Sequence, residues 1–310
     1  MDGDIKLFFQ TQLASLAKNR SDPDLTEGWP SSSDVEILCK KAAGFFIYAA
    51  TVVKFIDSEI VPLTERLSLI TSLPQSTAEE GKSGVDQLYT KVLEQTFHAV
   101  HTNNSQGSLC FQTVVGTVLL IFNPLPIKAL SELLGHGVPY IHSAVRSLHS
   151  LLLVPEKPED PIRAFHKSFP DFLTDSERCK DKQFLVAPAV HHVKILLLCL
   201  SLMKERLKRN ICNLDDYVLL SGVEDLSARK KDHIGDALEY ACRFWTKHLL
   251  NISSTGSHVK KVQKAVDTFF MTCLLSWIEV LALTGNLGVG VYAMNDIEQW
   301  YALVSVTQTI

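Results

Sequence analysis

Ile5, Phe8, Phe9, Leu13 and Leu16 recur three and four residues apart near the start of the chain. That spacing predicts an amphipathic helix. A polar, turn-rich stretch from Asn19 to Pro30 follows. Ser33-Asp34-Val35-Glu36 reads as a capping box, with Ser33 and Glu36 satisfying the first free amides of a helix that runs to about Ala43. Gly44 interrupts the pattern. The next segment, through Ile56, is apolar on all sides, which predicts burial inside a helical domain. Pro62 opens a short helix ending near Leu73, Pro74 to Gly84 reads as linker, and Val85 to Val100 is helical with Leu88, Val92, Leu93 and Phe97 on one face. His101 to Gly107 is polar and marks a domain boundary.

The pattern then changes. Leu109 to Phe122 is an apolar helix, Asn123-Pro124-Leu125-Pro126 a tight turn, and Ile127 to Leu134 a short helix closed by Gly135. Pro139 to Ser150 gives a third helix. Leu151 to Val154 and Ile162 to Phe165 are short apolar strands around a turn of prolines and charges. Three helices and a two-stranded ribbon make the winged-helix arrangement. Beyond Asp181 the chain is helical again: Pro188 to Arg209, Leu226 to Leu250, Val259 to Leu283 with a break near Cys273, and Leu287 to Val306. With strand signals absent there, a helical array is the economical reading. The fold class is therefore mainly α, in three parts: residues 1–104, 105–182 and 183–310.

Composition narrows the function. The 310 residues are 46% hydrophobic and 21% charged, which is ordinary globular usage. Thirty basic against 34 acidic residues leave a net charge of −4. A protein that lives on nucleic acid is usually strongly basic, so the balance argues against such a partner. Seven cysteines lie far apart without a C-x-x-C, mostly in apolar runs; this reads as a reducing, cytoplasmic compartment with no zinc site. Met1-Asp2-Gly3-Asp4 lacks the basic and apolar regions of a signal peptide. No apolar run reaches the 20 residues or so of a membrane span.

Most chemical motifs fail on inspection. Gly81-Lys82-Ser83 resembles the end of a P-loop, but Ser76 stands where the first Gly belongs and Glu79 and Glu80 would repel phosphate. Gly285, Gly288 and Gly290 are not in dinucleotide-binding order and read as a bend between helices. His191 and His192 are adjacent, so on a helix they point apart; these, with His98 and His101, read as solvated histidines and not metal ligands. The clusters Lys204–Arg209, Arg229-Lys230-Lys231 and Lys260-Lys261 read as solvated helix faces. The third helix of the winged unit carries one Arg, Arg146, too few cations for a DNA-binding role. No nucleophile elbow or zinc-protease motif is present, and no enzyme activity of the chain's own is expected.

His166 stands apart. It follows the second ribbon strand and precedes Pro170, a position that suits the first turn of a helix. An imidazole there has two readings: a hydrogen-bond donor to a bound phosphate, or a capping and packing residue.

The stretch Ile162-Arg163-Ala164-Phe165-His166-Lys167-Ser168-Phe169-Pro170-Asp171-Phe172-Leu173-Thr174-Asp175 resembles a signature of fungal NACHT-type proteins. These belong to the STAND class of signal-transduction NTPases, related to NOD-like innate immune receptors. The resemblance extends to Ala43–Thr51, Asp86-Gln87-Leu88-Tyr89, Leu148-His149-Ser150, Leu207–Cys212 and Tyr240-Ala241-Cys242-Arg243-Phe244-Trp245, in the same order. It implies that 1–104 is a helical lid, 105–182 the winged helix and 183–310 a second helical domain. The P-loop core would precede Met1, a WD-repeat propeller would often follow, and the chain would be a fragment. The resemblance further implies that His166 contacts the β-phosphate of ADP bound to that core. Gly44, in Gly44-Phe45-Phe46, matches a lid motif that packs near adenine, with Phe46 where the family usually has Pro. Phe165 and Lys167 flank His166 where plant members have Met and Asp.

These readings make the chain a non-catalytic regulatory region, coupling ADP or ATP with Mg on an absent core to conformation and oligomerisation. Hinges are expected near 101–107 and 176–186. No cofactor is expected in the chain itself. Its partners would be the NACHT core in cis or in trans, other proteins or further copies, with no nucleic acid and no membrane span. The alternatives are a free-standing helical adaptor that binds another protein and, less well supported, a DNA-binding winged-helix regulator.

Overall fold

The computed structural model describes residues 2–20, 25–57, 61–74, 81–100, 105–215, 217 and 219–308. Its architecture is mainly α, with one two-stranded antiparallel ribbon among the described residues. Two compact units emerge. The first comprises Met1–Gln112, Ala144–Val154 and Arg163–Leu185; the second comprises Thr113–Ser143, Pro155–Ile162 and Val186–Ile310. The 105–182 segment thus contributes to both.

In the first unit α1 (Asp2–Asn19) buries Ile5, Phe9 and Leu13, one residue per turn, against α2 (Ser32–Ala42) and α3 (Phe46–Ile56). The capping box of α2 is two residues earlier than the sequence pattern indicates. Ser31 Oγ accepts the Asp34 N–H at 3.1 Å, and the Asp34 carboxylate accepts the Ser31 N–H at 3.3 Å. Asp34 replaces Glu36 because Ser31, not Ser33, takes the extended N-cap conformation. Ala43 and Gly44 then adopt left-handed backbone, φ 45° and 80°, which ends α2 and redirects the chain into α3. α4 (Leu63–Thr71) and α5 (Gly81–Val100) complete the helical cluster. Gly81-Lys82-Ser83 begins α5 rather than belonging to a linker; 75–80 lie outside the described residues. So do 101–104, and Ser105 already opens α6 (Ser105–Leu120).

The C-terminal carbonyls of α3 are capped from a distance. His149 Nε2 donates to the carbonyls of Lys54 and Asp57 at 3.0 and 3.1 Å, and Arg66 donates to that of Phe55. A helix end buried without such donors would leave carbonyls unpaired. β1 (Leu152–Leu153) and β2 (Arg163–Ala164) pair Leu152 with Ala164 and Leu153 with Arg163. α9 (Ser168–Leu173) follows directly.

The second unit contains the second half of α6, then α7 (Ile127–Leu134), closed by Gly135 at φ 66°, and the first part of α8 (Val138–Arg146). α10 (Pro188–Arg206) packs mainly on α12 (Gly235–Leu250), and α12 on α15 (Leu287–Gln308). The pattern from Leu226 to Leu250 is not one helix: Gly235, at φ 66°, separates α11 (Leu226–His233) from α12. α13 (Val259–Thr272) and α14 (Leu274–Leu283) bend by 74° at Cys273. Trp245, Trp277 and Trp300 are fully buried core residues, and Trp277 Nε1 donates to the Cys242 carbonyl at 2.8 Å. Cys179, Cys199, Cys212, Cys242 and Cys273 are buried thiols, as their apolar surroundings suggest. Among the described residues no single helix is long and apolar enough to cross a membrane.

Two readings need correction here. His191 and His192 are buried, not solvated: the His191 ring lies against Gly116 of α6, and His192 meets His248 of α12. The basic clusters are only partly free surface: Arg206 pairs with Glu132 and donates to the His233 carbonyl, Arg229 pairs with Asp225, and Lys230 donates to the Leu283 carbonyl. The side chain of His98 and the whole of His101 lie outside the described residues.

Candidate functional site

His166 is not in the first turn of α9. It lies two residues before Ser168, the first helical residue, with Lys167 as N-cap and Pro170 tolerated inside the first turn. The Ser168 backbone N–H donates to His166 Nδ1 at 3.1 Å. A backbone amide only donates, so Nδ1 must be bare and the imidazole proton sits on Nε2. Ser168 Oγ lies 2.8 Å from the same Nδ1 and 2.7 Å from the Tyr89 hydroxyl on α5. With Nδ1 accepting, Ser168 O–H donates to it and Tyr89 O–H donates to Ser168. Burial, ahead of its polar contacts, raises the Tyr89 pKa and keeps the phenol a donor.

The result is a directed chain, Tyr89 to Ser168 to His166, ending on an exposed imidazole. Its outward Nε2–H has no protein acceptor among the described residues. The capping role and the donor role are thus compatible, since they use opposite nitrogens of one ring.

The surroundings are packed and paired. The Tyr89 ring packs edge-on against Phe169 at 5.3 Å and against Phe172 at 5.6 Å, both fully buried. One turn earlier, Asp86 receives a bidentate pair from Arg178, Nε to Oδ2 at 2.9 Å and Nη2 to Oδ1 at 2.6 Å. Lys54 of α3 sits 4.8 Å above the Phe165 ring. Four stretches that carry the family resemblance, around 43–51, 86–89, 148–150 and 162–175, therefore fold into one unit, and two of them meet directly at Tyr89 and Ser168.

Gly44 and His166 are not brought together. Gly44 precedes the start of α3, whereas Lys54, about 12 Å further along that helix at 1.5 Å per residue, is the residue that touches Phe165. Phe45 and Phe46 beside Gly44 are half-exposed, and Phe46 meets Phe8 at 4.7 Å.

A separate cleft of about 220 Å³ lies in the second unit, between the 123–126 turn, Pro161 and the first turns of α12. Glu159, Asp236, Glu239 and Arg243 are among its lining residues; Arg243 pairs with Glu239 at 3.2 Å, and its Nε is buried without a partner. It contains neither candidate residue. Among the described residues no cluster of three or more His, Cys, Asp or Glu could hold a metal ion.

Comparison with known proteins finds a distant relative. The chain is 22% identical over 315 aligned residues to vegetative incompatibility protein HET-E-1 of Podospora anserina. The match covers 95% of this chain and 21% of the relative, so the chain spans about a fifth of that protein's length. No family model matches, and no solved structure does. A distant likeness to a fungal incompatibility protein agrees with the NACHT-related signatures, and it spans the whole region in which they occur.

The sequence pattern alone reaches His166 but misses Tyr89, Ser168, Asp86 and Arg178 as its support. Their separations, 79 residues for Tyr89–Ser168 and 92 for Asp86–Arg178, exceed any local periodicity.

Proposed function

We propose that this chain is a non-catalytic regulatory region of a STAND-type, NACHT-related signalling protein. In this reading residues 1–104 act as helical lid, 105–182 as winged helix and 183–310 as second helical domain. The supporting observation is the pinned tautomer of His166: its Nε2–H faces outward on a packed support, ready to donate to a phosphate oxygen. Nucleotide, ADP or ATP with Mg, would be held by a NACHT core, in cis or in trans, with Gly44 near the base and His166 at the β-phosphate. A switch of this kind requires that ADP and ATP favour the two arrangements unequally. The similarity to HET-E-1 supports the family context and a protein–protein mode of action.

The test is association with a NACHT core loaded with ADP or with ATP. Binding should be tighter with ADP, and His166→Ala should remove the difference. Equal binding in both nucleotide states would refute the switch.

A second reading, a helical adaptor, is favoured by one feature. Met271, Leu275, Val291, Leu303 and Val306 are large apolar side chains exposed on α13, α14 and α15. Nucleotide-independent capture of a protein partner that is lost on polar substitution of these side chains would favour this reading over the switch.

A further inference from the structure

In the second unit, α10 and α12 are held across their interface by a hydrogen-bonded pair of buried histidines. His192 Nδ1 and His248 Nδ1 lie 2.8 Å apart, and His248 Nε2 lies 2.7 Å from the Tyr240 hydroxyl. His192 is 6% exposed and His248 is fully buried. The protons can be placed. The Phe122 N–H donates to the Tyr240 oxygen at 3.3 Å, and burial holds the Tyr240 phenol protonated by raising its pKa. Tyr240 O–H therefore donates to His248 Nε2. His248 then carries its proton on Nδ1 and donates it to the bare Nδ1 of His192, whose own proton sits on Nε2.

Each ring holds one proton, and the Nδ1···Nδ1 contact exists only because a single proton lies between the two nitrogens. A second proton on His192 would set two N–H groups head to head at 2.8 Å. A second proton on His248 would turn the Tyr240 hydroxyl around and leave its proton without the acceptor it now has. We propose that the His192–His248 pair is an acid-sensitive latch between α10 and α12, closed while both imidazoles are neutral and released by one added proton.

The neighbours offer no counter-charge. On α10 the nearby titratable groups are His191 and the buried thiol of Cys199, neither negative at neutral pH. On α12, Lys247 lies over Phe122 at 5.9 Å and Arg243 is paired with Glu239. The turn before α7 contributes only the Phe122 ring, which meets His192 and His248 at 5.9 and 4.8 Å. Glu132 of α7 is held by Arg206, Asp267 of α13 accepts from Tyr301, Glu279 of α14 accepts the Asn210 and Ile211 amides, and Asp296 of α15 accepts from Thr246. Neither imidazole contacts a carboxylate among the described residues, so an imidazolium there would be a buried, unpaired charge. Burial first, then the adjacent histidine, lowers both pKa values, that of His248 to about 3.

The latch is independent of the nucleotide reading and is tested on the chain alone. Amide hydrogen exchange, corrected for intrinsic rates, should show protection in α10 and α12 falling from pH 7 to pH 5, by about 25-fold from His248 alone and further from His192. Protection in α2 and α3 should stay constant. His192→Asn, which keeps an acceptor near the Nδ1 position but does not titrate there, should reduce the fall to the part that His248 contributes. Should that variant not fold, long-range ¹⁵N–¹H spectra of the unaltered chain decide: at pH 7 His248 should be the Nδ1–H tautomer and His192 the Nε2–H tautomer. Equal protection at both pH values, or imidazolium signals from either ring in the still-folded chain at pH 5.5, would overturn the proposal.

Discussion

Replacing Tyr89 with Phe removes one oxygen and leaves the ring in place. Packing against Phe169 and Phe172 is therefore retained, and the loss is confined to the hydrogen bond with Ser168. A partly buried neutral hydrogen bond contributes about 1 kcal/mol net. Ser168 Oγ keeps its contact with His166 Nδ1, so no buried group is orphaned and the cost stays near that value. Ser168→Ala should cost more, about 1–3 kcal/mol, because it strands the desolvated Tyr89 hydroxyl. The two compact units make global denaturation a poor assay, since unfolding need not be two-state. Local hydrogen exchange of the α9 amides is the better readout. Tyr89→Phe should lower their protection about fivefold, with His166 still the Nε2–H tautomer because the Ser168 amide alone pins Nδ1. Unchanged protection, or a His166 proton on Nδ1 in the unaltered chain, would refute the hydrogen-bond order assigned to the site.

Other substitutions follow the same logic. At Gly116 a Cβ would lie 2.5 Å from His191 Cδ2 on the opposing helix, so Gly116→Ala should destabilise the second unit by about 1–3 kcal/mol, read by hydrogen exchange in α10. Asp86→Ala leaves the largely buried Arg178 without its bidentate partner and should cost about 2–3 kcal/mol; Asp86→Asn should cost less, measured as the loss of α5 protection. For pH the sign is fixed by His248, whose folded pKa lies below its unfolded value near 6.5. The unfolded chain binds more protons below pH 6.5, so full stability is present above that pH and is lost as pH falls toward 3. Between pH 7 and pH 5 the loss from His248 alone is about 2 kcal/mol, and an acid titration of the second unit's unfolding checks it. The buried thiols should label slowly at pH 8, since burial pushes Cys179 up to about 11 and Cys199 higher still; prompt labelling of either in the folded chain would contradict that.

Local signals in the sequence were legible where one residue type decides the outcome. Gly135 closes α7 at the expected place because a left-handed cap favours glycine, and Cys273 marks the bend between α13 and α14. The capping box slipped by two residues because Ser31-Ser32-Ser33 followed by Asp34 and Glu36 permits two registers, and only backbone geometry chooses between them. The histidines were misread for another reason. His191 and His192 do point apart on one helix, as adjacent residues must, but burial depends on what covers each side. His192 finds His248 56 residues away. At the candidate site the sequence offered His166 and the shape of the ribbon before it. The Ser168 amide that fixes its tautomer is only two residues away, but the support around it, Tyr89 on Ser168 and Asp86 on Arg178, pairs residues 79 and 92 apart, and such pairings exist only once the chain has folded.

The most direct measurement is the rate of ADP release from a NACHT core joined to this chain, compared between His166 and His166→Ala. If the outward Nε2–H donates to the β-phosphate, removing it should speed release about tenfold, the effect of losing about 1.4 kcal/mol, while His166→Ala leaves α9 folded. An unchanged rate, with the variant folded, would contradict a phosphate-sensing role for His166 and leave it as the cap of α9 alone.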